Sequence, residues 1–187
     1  LEVSANTHDF TADGMRFAYR AEPQLVTITP RTGSVLGGTN FLLAGSALRG
    51  GSDSRIALSN VAVHASWIYQ GGDALLGVTP PLGRNTTVSV NVSVGLNAQQ
   101  FTGGLDFGYF IDPRVDEISP STGPVLGGTL VTLSGSDFSG GSVYRCRFAD
   151  TLTEASVSWD ISDHLLCRLP SQLPVTPRAV EVSLNGQ

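Results

Sequence analysis

Two asparagines stand in the sequence context that N-linked glycosylation requires. Asn85 begins the tripeptide Asn-Thr-Thr and Asn91 begins Asn-Val-Ser, so each has the hydroxyl residue of the acceptor motif two positions later. Asn85 follows the turn sequence PPLGR, and Asn91 lies in a run where valines alternate with polar residues. Such tripeptides also arise by chance. Because both contexts place the asparagine at the surface, we predict that both are glycosylated.

Histidine and aspartate residues are the candidates for acid–base or nucleophilic catalysis. His8, His64 and His164 fall at unrelated positions, and among them His164 has acids close by in sequence, Asp160 and Asp163. A nucleophile needs a base and a group that orients that base, and this spacing favours a polar loop instead. The sequence therefore predicts no catalytic residue and no cofactor.

One short stretch of acidic residues could suggest a calcium site. Asp112, Asp116 and Glu117 lie close together, but calcium takes about six to eight oxygen ligands and no second acidic cluster accompanies them. We therefore predict solvated carboxylates and no metal. Trp67 and Trp159 are predicted to pack in a core, and the alternative, stacking on carbohydrate, would require an exposed ring.

The bulk composition indicates an all-β protein with little charge. Charged residues make up 14% of the 187 residues, while Gly reaches 22 and Pro 10; a typical domain is about 25% charged. The net charge is -5 and the 11 basic residues are all Arg, so no cluster of basic residues is available for a nucleic acid. No apolar run is long enough to cross a membrane. We predict no nucleic acid partner, and membrane contact only through segments outside this sequence.

An internal repeat organises the chain. PQLVTITPRTGSVLGGT begins at Pro23, and PRVDEISPSTGPVLGGT begins at Pro113, an offset of 90 residues. A second match joins FTADGMRFAY, which starts at Phe10, with FTGGLDFGYF, which starts at Phe101. We predict three units: residues 1–22 as the last strands of a preceding module, 23–112 as a complete module, and 113–187 as a module lacking its last strand.

Each unit has the pattern of short β-strands. Val88, Val90, Val92 and Val94 alternate with polar residues, which places the valines on the core face. Turn residues recur about every ten positions, as in a sandwich of about seven strands. The linkers between units are short and contain Pro, which fixes a backbone dihedral. A semi-rigid rod of modules placed end to end is the predicted arrangement.

Prolines and glycines mark the turn after the first strand of each unit. Pro30 and Pro120 should end that strand because proline lacks the donor that a sheet needs. Gly33 and Gly123 are predicted to take the positive φ of the following turn. The Gly-Gly pairs at 37–38 and 127–128 are predicted to open the next strand with a bulge or a close backbone approach.

The shared pattern, P-x-x-x-x-I-x-P-x-x-G-x-x-x-G-G-T, resembles the IPT/TIG domain. That family of E-set immunoglobulin-like folds occurs in plexins, the hepatocyte growth factor receptor, fibrocystin-like proteins and Rel-type transcription factors. The resemblance covers nearly the whole chain and implies tandem all-β sandwiches. A common fold serves unrelated functions, so the resemblance implies the fold more closely than the function.

The resemblance also gives a role to the two cysteines. In extracellular members of the family a disulfide commonly occupies positions similar to those of Cys146 and Cys167. Their counterparts in the complete module are Ile56 and Gly77, an apolar and a small residue, as expected where a core bridge has been replaced. Two free thiols in a reducing cell are the alternative, and metal binding is disfavoured because no histidines accompany the cysteines.

Together these features favour non-catalytic adhesion or structural modules of a large cell-surface or extracellular-matrix protein, acting as spacer and scaffold. The predicted partners are other proteins, including neighbouring copies that pair through open strand edges. One alternative is the stalk of a plexin-like receptor ectodomain. Another is an accessory module of a secreted carbohydrate-active enzyme. A Rel-like DNA binder is excluded because the loops at the module ends carry Gly, Ser and Asp rather than basic residues.

Overall fold

The computed structural model describes residues 1–67, 73–84, 86–158, 163–171, 176–177 and 179–187. The chain forms two all-β sandwiches in tandem. We call residues 1–22 the N-terminal segment, residues 23–112 the N-terminal sandwich and residues 113–187 the C-terminal sandwich. The described part of the chain contains no helix with the length and apolar character needed to cross a membrane.

The N-terminal sandwich has two sheets. Its strands are β1 (Gln24–Thr29), β2 (Thr32–Ser34), β3 (Asn40–Ser46), β4 (Arg55–Leu58), β5 (Val61–His64), β6 (Ser66–Trp67), β7 (Ala74–Val78), β8 (Val88–Gly95) and β9 (Thr102–Phe110). One sheet has the order β1-β3-β7-β6 and the other β2-β9-β8-β4-β5. Pairing is antiparallel except between β2 and β9, which run parallel.

The C-terminal sandwich repeats this arrangement with fewer strands. They are β10 (Arg114–Ser119), β11 (Leu130–Ser136), β12 (Arg145–Phe148), β13 (Thr151–Val157), β14 (His164–Arg168) and β15 (Val180–Ser183). The order is β10-β11-β14-β13-β12-β15. The first part of β13 pairs with β12 and its last part with β14, so one strand passes from one layer to the other. The described residues thus contain nine strands in the N-terminal sandwich and six in the C-terminal sandwich, on either side of the predicted number of about seven.

Valines of β8 contribute to the N-terminal core. Burial was predicted for four of them and is confirmed for three. Val90, Val92 and Val94 are buried, whereas Val88 at the strand's start is 37% exposed. They pack with Phe41, Leu43, Ile56, Leu75, Phe107 and Tyr109. The C-terminal core consists of Val131, Leu133, Phe138, Cys146, Phe148, Leu165 and Cys167.

The turn after the first strand begins at a proline, but the prediction for its glycines is wrong. β1 ends at Thr29, directly before Pro30. Gly33 has no positive φ; a Cβ there would lie 2.6 Å from Thr39 Oγ1 and 2.8 Å from Phe107 Cζ. Gly33 is therefore required for close packing, and Gly123 likewise has no positive φ. Positive φ falls on both Gly-Gly pairs instead, 78° and 81° in the first pair and 75° and 84° in the second.

The N-terminal segment forms no strand and nearly all of it is exposed to solvent. A strand needs a neighbour to satisfy its backbone hydrogen bonds, and no described strand pairs with this segment. The division of the chain into units 1–22, 23–112 and 113–187 stays a prediction.

Candidate interaction and modification sites

Side chains of both sandwiches meet at a junction centred on Thr32. Thr32 Oγ1 donates a hydrogen bond to Ser142 Oγ at 2.9 Å, and Asn185 Nδ2 donates to the Thr32 carbonyl oxygen at 3.4 Å. Gln187 Nε2 donates to the Asn40 carbonyl oxygen at 2.6 Å. The N-terminal sandwich therefore contacts two turns of the C-terminal sandwich in addition to the covalent linker.

Local structure explains why these groups converge. β2 and β9 run parallel, and Ser34 at the end of β2 pairs with Phe110 at the end of β9. β2 therefore lies beside the linker to the C-terminal sandwich. In the C-terminal sandwich, Val143 and Asn185 form an isolated parallel bridge, which holds their two turns side by side. The linker adds one bond, from Ser34 Oγ to Asp112 Oδ2 at 2.9 Å.

Two small clefts flank the junction and are lined by both sandwiches. One, of about 410 Å³, includes Pro30 and Arg31 on one side and Val143 and Gly186 on the other. The second, of about 260 Å³, lies beside the Gly37-Gly38 pair. Sequence reasoning missed the junction residues, because Thr, Ser and Asn in turns look like ordinary turn formers.

A disulfide joins the two layers of the C-terminal sandwich. Cys146 lies on β12 and Cys167 on β14, the two Cα atoms are 6.1 Å apart, and both side chains are fully buried. The structure thus pairs the two cysteines that the family resemblance implied. No described cysteine is free.

The N-terminal sandwich fills the same place with apolar atoms. Ile56 is fully buried, and a Cβ added to Gly77 would lie 3.0 Å from Ile56 Cδ1 and would collide with the Phe41 ring. Phe41 on β3 pairs with Gly77 on β7. At the equivalent position of the C-terminal sandwich, Val131 on β11 pairs with Cys167 on β14. Ile56 and Phe41 therefore occupy the space that Cys146, Cys167 and the smaller Val131 fill in the other sandwich.

The two glycosylation candidates differ in what the structure shows. Asn91 lies in the middle of β8, where it pairs with Asp106 of β9, and it is exposed on the outer face of its sheet. The neighbouring residues Val90 and Val92 point into the core. Asn85 lies outside the described residues. Glycosylation at Asn91 and Asn85 stays a prediction.

The described residues among those considered for catalysis or metal binding form no cluster. His8 and His64 are exposed, and the Nδ1 atom of half-buried His164 has no hydrogen-bond partner among the described residues. Asp163 is exposed, whereas Asp160 and Trp159 lie outside the described residues. The part of the chain that the structure describes brings no three His, Cys, Asp or Glu side chains together as a metal site would.

The acidic residues at the linker have other partners. Asp112 accepts the hydrogen bond from Ser34, and Asp116 forms an ion pair with Arg114 at 2.7 Å. Glu117 is exposed on β10. That these carboxylates are solvated and hold no metal stays a prediction.

Two sites have perturbed protonation equilibria. The hydrogen bond that the Arg55 guanidinium donates to Asp53 holds the pKa of that carboxyl below its usual value. Burial raises the pKa of the Tyr109 hydroxyl to about 12, and that hydroxyl donates to the Pro80 carbonyl oxygen at 3.0 Å. Both groups fix local structure: Asp53 and Arg55 order the start of β4, and Tyr109 joins β9 to the loop after β7.

Comparison with known proteins agrees with this architecture. The IPT/TIG domain family model matches residues 23–109 and again residues 113–187. Two structures of the plexin A4 extracellular region are similar in fold, each at 18% identity, with TM-scores of 0.52 and 0.55 over 96% and 98% of this chain. This chain spans 19% and 16% of those proteins. A third similar structure is that of SGBP-B from a Bacteroides ovatus mixed-linkage glucan utilization locus, in complex with a mixed-linkage heptasaccharide. The match covers 80% of this chain and 36% of that protein's chain, at 15% sequence identity and a TM-score of 0.42.

Proposed function

Because this chain belongs to the IPT/TIG domain family, we propose that it acts as a non-catalytic spacer and protein-interaction scaffold in a larger cell-surface or extracellular-matrix protein. The observation that carries the proposal is the junction, where Thr32 is bonded to both Ser142 and Asn185. A flexible linker lets two domains collapse on each other, whereas direct contacts hold them at a set distance. Holding that distance is what a spacer must do.

Two chemical features support a location outside the cell. The buried Cys146–Cys167 disulfide is the kind of bond that forms and persists in oxidising compartments. Asn91 presents a glycosylation motif on an exposed strand face, with its flanking valines anchored in the core. A glycan at Asn91 would cover part of the β8 and β9 surface and leave the opposite sheet for partners.

The partners we propose are other proteins. Buried side chains of the described residues are apolar apart from Thr39 and Thr79, and these two are bonded to each other through Thr39 N–H and Thr79 Oγ1 at 3.0 Å. These two polar side chains thus support the core of the N-terminal sandwich, and the exposed faces of the sheets are the surfaces we propose for binding. The net charge of -5 disfavours nucleic acid.

A second candidate is the stalk of a plexin-like receptor ectodomain. The similarity in fold to the plexin A4 extracellular region supports it, and a stalk would use the same stiff junction to pass a ligand-induced movement along the array. An accessory module of a carbohydrate-active enzyme needs an exposed aromatic platform on one sheet. The most exposed of the described aromatic side chains, Phe10, Phe17 and Tyr19, lie in the N-terminal segment, which forms no strand.

The junction can be tested by removing one hydroxyl. Thr32→Val keeps the side-chain shape but deletes the bond to Ser142, which contributes about 1 kcal/mol; we expect about a fivefold larger population of separated sandwiches. The effective rotational correlation times that ¹⁵N relaxation gives for the two sandwiches should then be shorter and less alike than in the unaltered protein, where they should be equal. Thr122→Val, at the matching position of the C-terminal sandwich, is the control and should change nothing. Independent tumbling of the sandwiches in the unaltered protein would refute the spacer role.

A further inference from the structure

The second and the last strand of the N-terminal sandwich run side by side in the same direction. β2 pairs parallel with β9, and the pairing ends with Ser34 opposite Phe110. A backbone hydrogen bond lies at each end of it. Gly108 N–H donates to the Arg31 carbonyl oxygen at 3.0 Å, and Val35 N–H donates to the Phe110 carbonyl oxygen at 2.9 Å. The pairing is short, but it is bonded along its whole length.

Close packing supports this pairing on both faces of the sheet. On the inner face, a Cβ at Gly33 would lie 2.8 Å from Phe107 Cζ. On the outer face, a Cβ at Gly108 would lie 3.1 Å from Thr32 Cγ2. Strands that fit so closely can slide past one another only by losing their packing together with their hydrogen bonds.

Tension along the array would load the two strands lengthwise. The chain enters the sandwich at Pro23, where Thr102 Oγ1 at the start of β9 donates a hydrogen bond to the Pro23 carbonyl oxygen at 3.2 Å. It leaves at Asp112, which accepts the bond from Ser34 at the end of β2. Entry and exit therefore lie at opposite ends of β9, which has 9 residues and is about 30 Å long. A pull on both draws β2 and β9 in opposite directions along their own axes.

The direction of the pull decides how the hydrogen bonds break. When paired strands slide along their axes, all bonds between them are strained together. When the strands are pulled apart from one end, the bonds break one after another. One hydrogen bond changes a rate constant by about fivefold, so breaking several in a single step multiplies these factors. Because forced unfolding is governed by the unfolding rate, strands loaded lengthwise resist tension.

The C-terminal sandwich contacts both strands of the pairing. Ser142 accepts the hydrogen bond of Thr32 Oγ1 on β2 at 2.9 Å. The same turn lies against the other strand, because a Cβ at Gly140 would lie 3.4 Å from Phe110 Cβ at the end of β9. β2 therefore cannot be drawn toward the entry unless its bond to the next sandwich also breaks.

We propose that β2 and β9 form a clamp that bears tension along the array, and that the C-terminal sandwich strengthens this clamp through Ser142. The clamp follows from the strand pairing itself. That the protein meets tension rests on the proposed spacer role, since a spacer is pulled when the surfaces it joins move apart. The two claims fail separately, because the relaxation experiment on the junction applies no force.

Unfolding at constant force in optical tweezers tests the clamp. Handles attached through Glu22→Cys and Arg114→Cys, both exposed positions, load the N-terminal sandwich lengthwise, and its unfolding releases at most about 330 Å of chain. Handles at Thr86→Cys and Arg114→Cys both lie at the junction end, so the same force peels β8 from β9. We expect the peeled sandwich to unfold about thirtyfold faster, the factor for two hydrogen bonds. Equal rates in the two directions would overturn the proposal.

Val35→Pro tests the hydrogen bonds of the clamp. Proline has no N–H to donate to Phe110, and it suits this position because Val35 is the first central residue of the turn that Gly37 N–H closes onto the Ser34 carbonyl oxygen. The lengthwise unfolding rate should rise at least about fivefold and the peeling rate much less. Val125→Pro, the matching change in the C-terminal sandwich, should alter neither rate. Equal acceleration in both directions would indicate a general loss of stability and contradict the clamp.

Ser142→Ala tests the contribution of the C-terminal sandwich. The substitution lies outside the loaded residues 22–114, yet it removes the acceptor of the Thr32 hydroxyl. We expect the N-terminal sandwich to unfold about fivefold faster under the lengthwise pull. Ser52→Ala, at the matching position of the N-terminal sandwich, is the control and should leave the rate unchanged. An unchanged rate for Ser142→Ala would show that the neighbouring sandwich does not strengthen the clamp.

Discussion

Replacing Phe107 with alanine is expected to lower the free energy of unfolding of the N-terminal sandwich by about 3–5 kcal/mol. The ring is fully buried and lies with its centroid 6.1 Å from that of Phe41 and 5.2 Å from that of Tyr109. Gly33 faces the ring, since a Cβ there would lie only 2.8 Å from Phe107 Cζ, and a glycine has no side chain that could move into the vacated space. The substitution therefore leaves a cavity between the two sheets.

Denaturant unfolding with hydrogen exchange read by mass spectrometry measures this loss for each sandwich separately. Protection in the C-terminal sandwich should stay unchanged. Phe101→Ala is the matched control, because Phe101 lies just before the same strand and is 36% exposed; its loss should be less than half as large. A cost for Phe107→Ala below about 1 kcal/mol, the average for any substitution, would show that β9 is not an integral part of this core.

Removing the disulfide is expected to have the second largest effect. The bridge closes a loop with a sequence separation of 21 residues, and the combined substitution of Cys146 and Cys167 by alanine should destabilise the C-terminal sandwich by about 3 kcal/mol. That is a large share of the stability of a small domain. Reductant should have the same effect on the unaltered protein, whereas the N-terminal sandwich, which has no cysteine, should not respond.

The N-terminal sandwich provides a matched rescue. Cys146→Ile and Cys167→Gly with Val131→Phe copy the arrangement of Ile56, Gly77 and Phe41, and this triple variant should recover part of the loss through better packing. The measurement is again the free energy of unfolding, read from exchange in residues 113–187. Unfolding of this sandwich that is identical with and without reductant would contradict a stabilising bridge.

Sequence patterns identified the architecture but not its contacts. The repeat and the two-residue alternation of Val90, Val92 and Val94 indicate where strands run, because those signals come from burial on one face. The prediction for Gly33 failed because a glycine required for close packing and a glycine required for positive φ look alike in a sequence. The Thr32 junction depends on which segments meet in three dimensions, and no local pattern contains that information.

The predicted site residues and the junction illustrate the same division. The family resemblance implied the pairing of Cys146 and Cys167, and the structure joins them. Asn91 could be placed on an outward face because its strand alternates regularly. The bond between Thr32 and Ser142 joins residues 110 positions apart, and such a contact between modules has no periodic signature.

Display outside the cell is the central claim, and intact mass of the protein purified from its own source tests it most directly. The spectrum is recorded before and after a glycosidase that releases N-linked glycans, with and without reductant, and alongside an Asn91→Gln variant expressed in the same source. We predict glycan mass that the enzyme removes and the variant reduces, together with a Cys146–Cys167 pair that takes up alkylating reagent only after reduction. Bare asparagines and two free thiols in the native protein would contradict the claim.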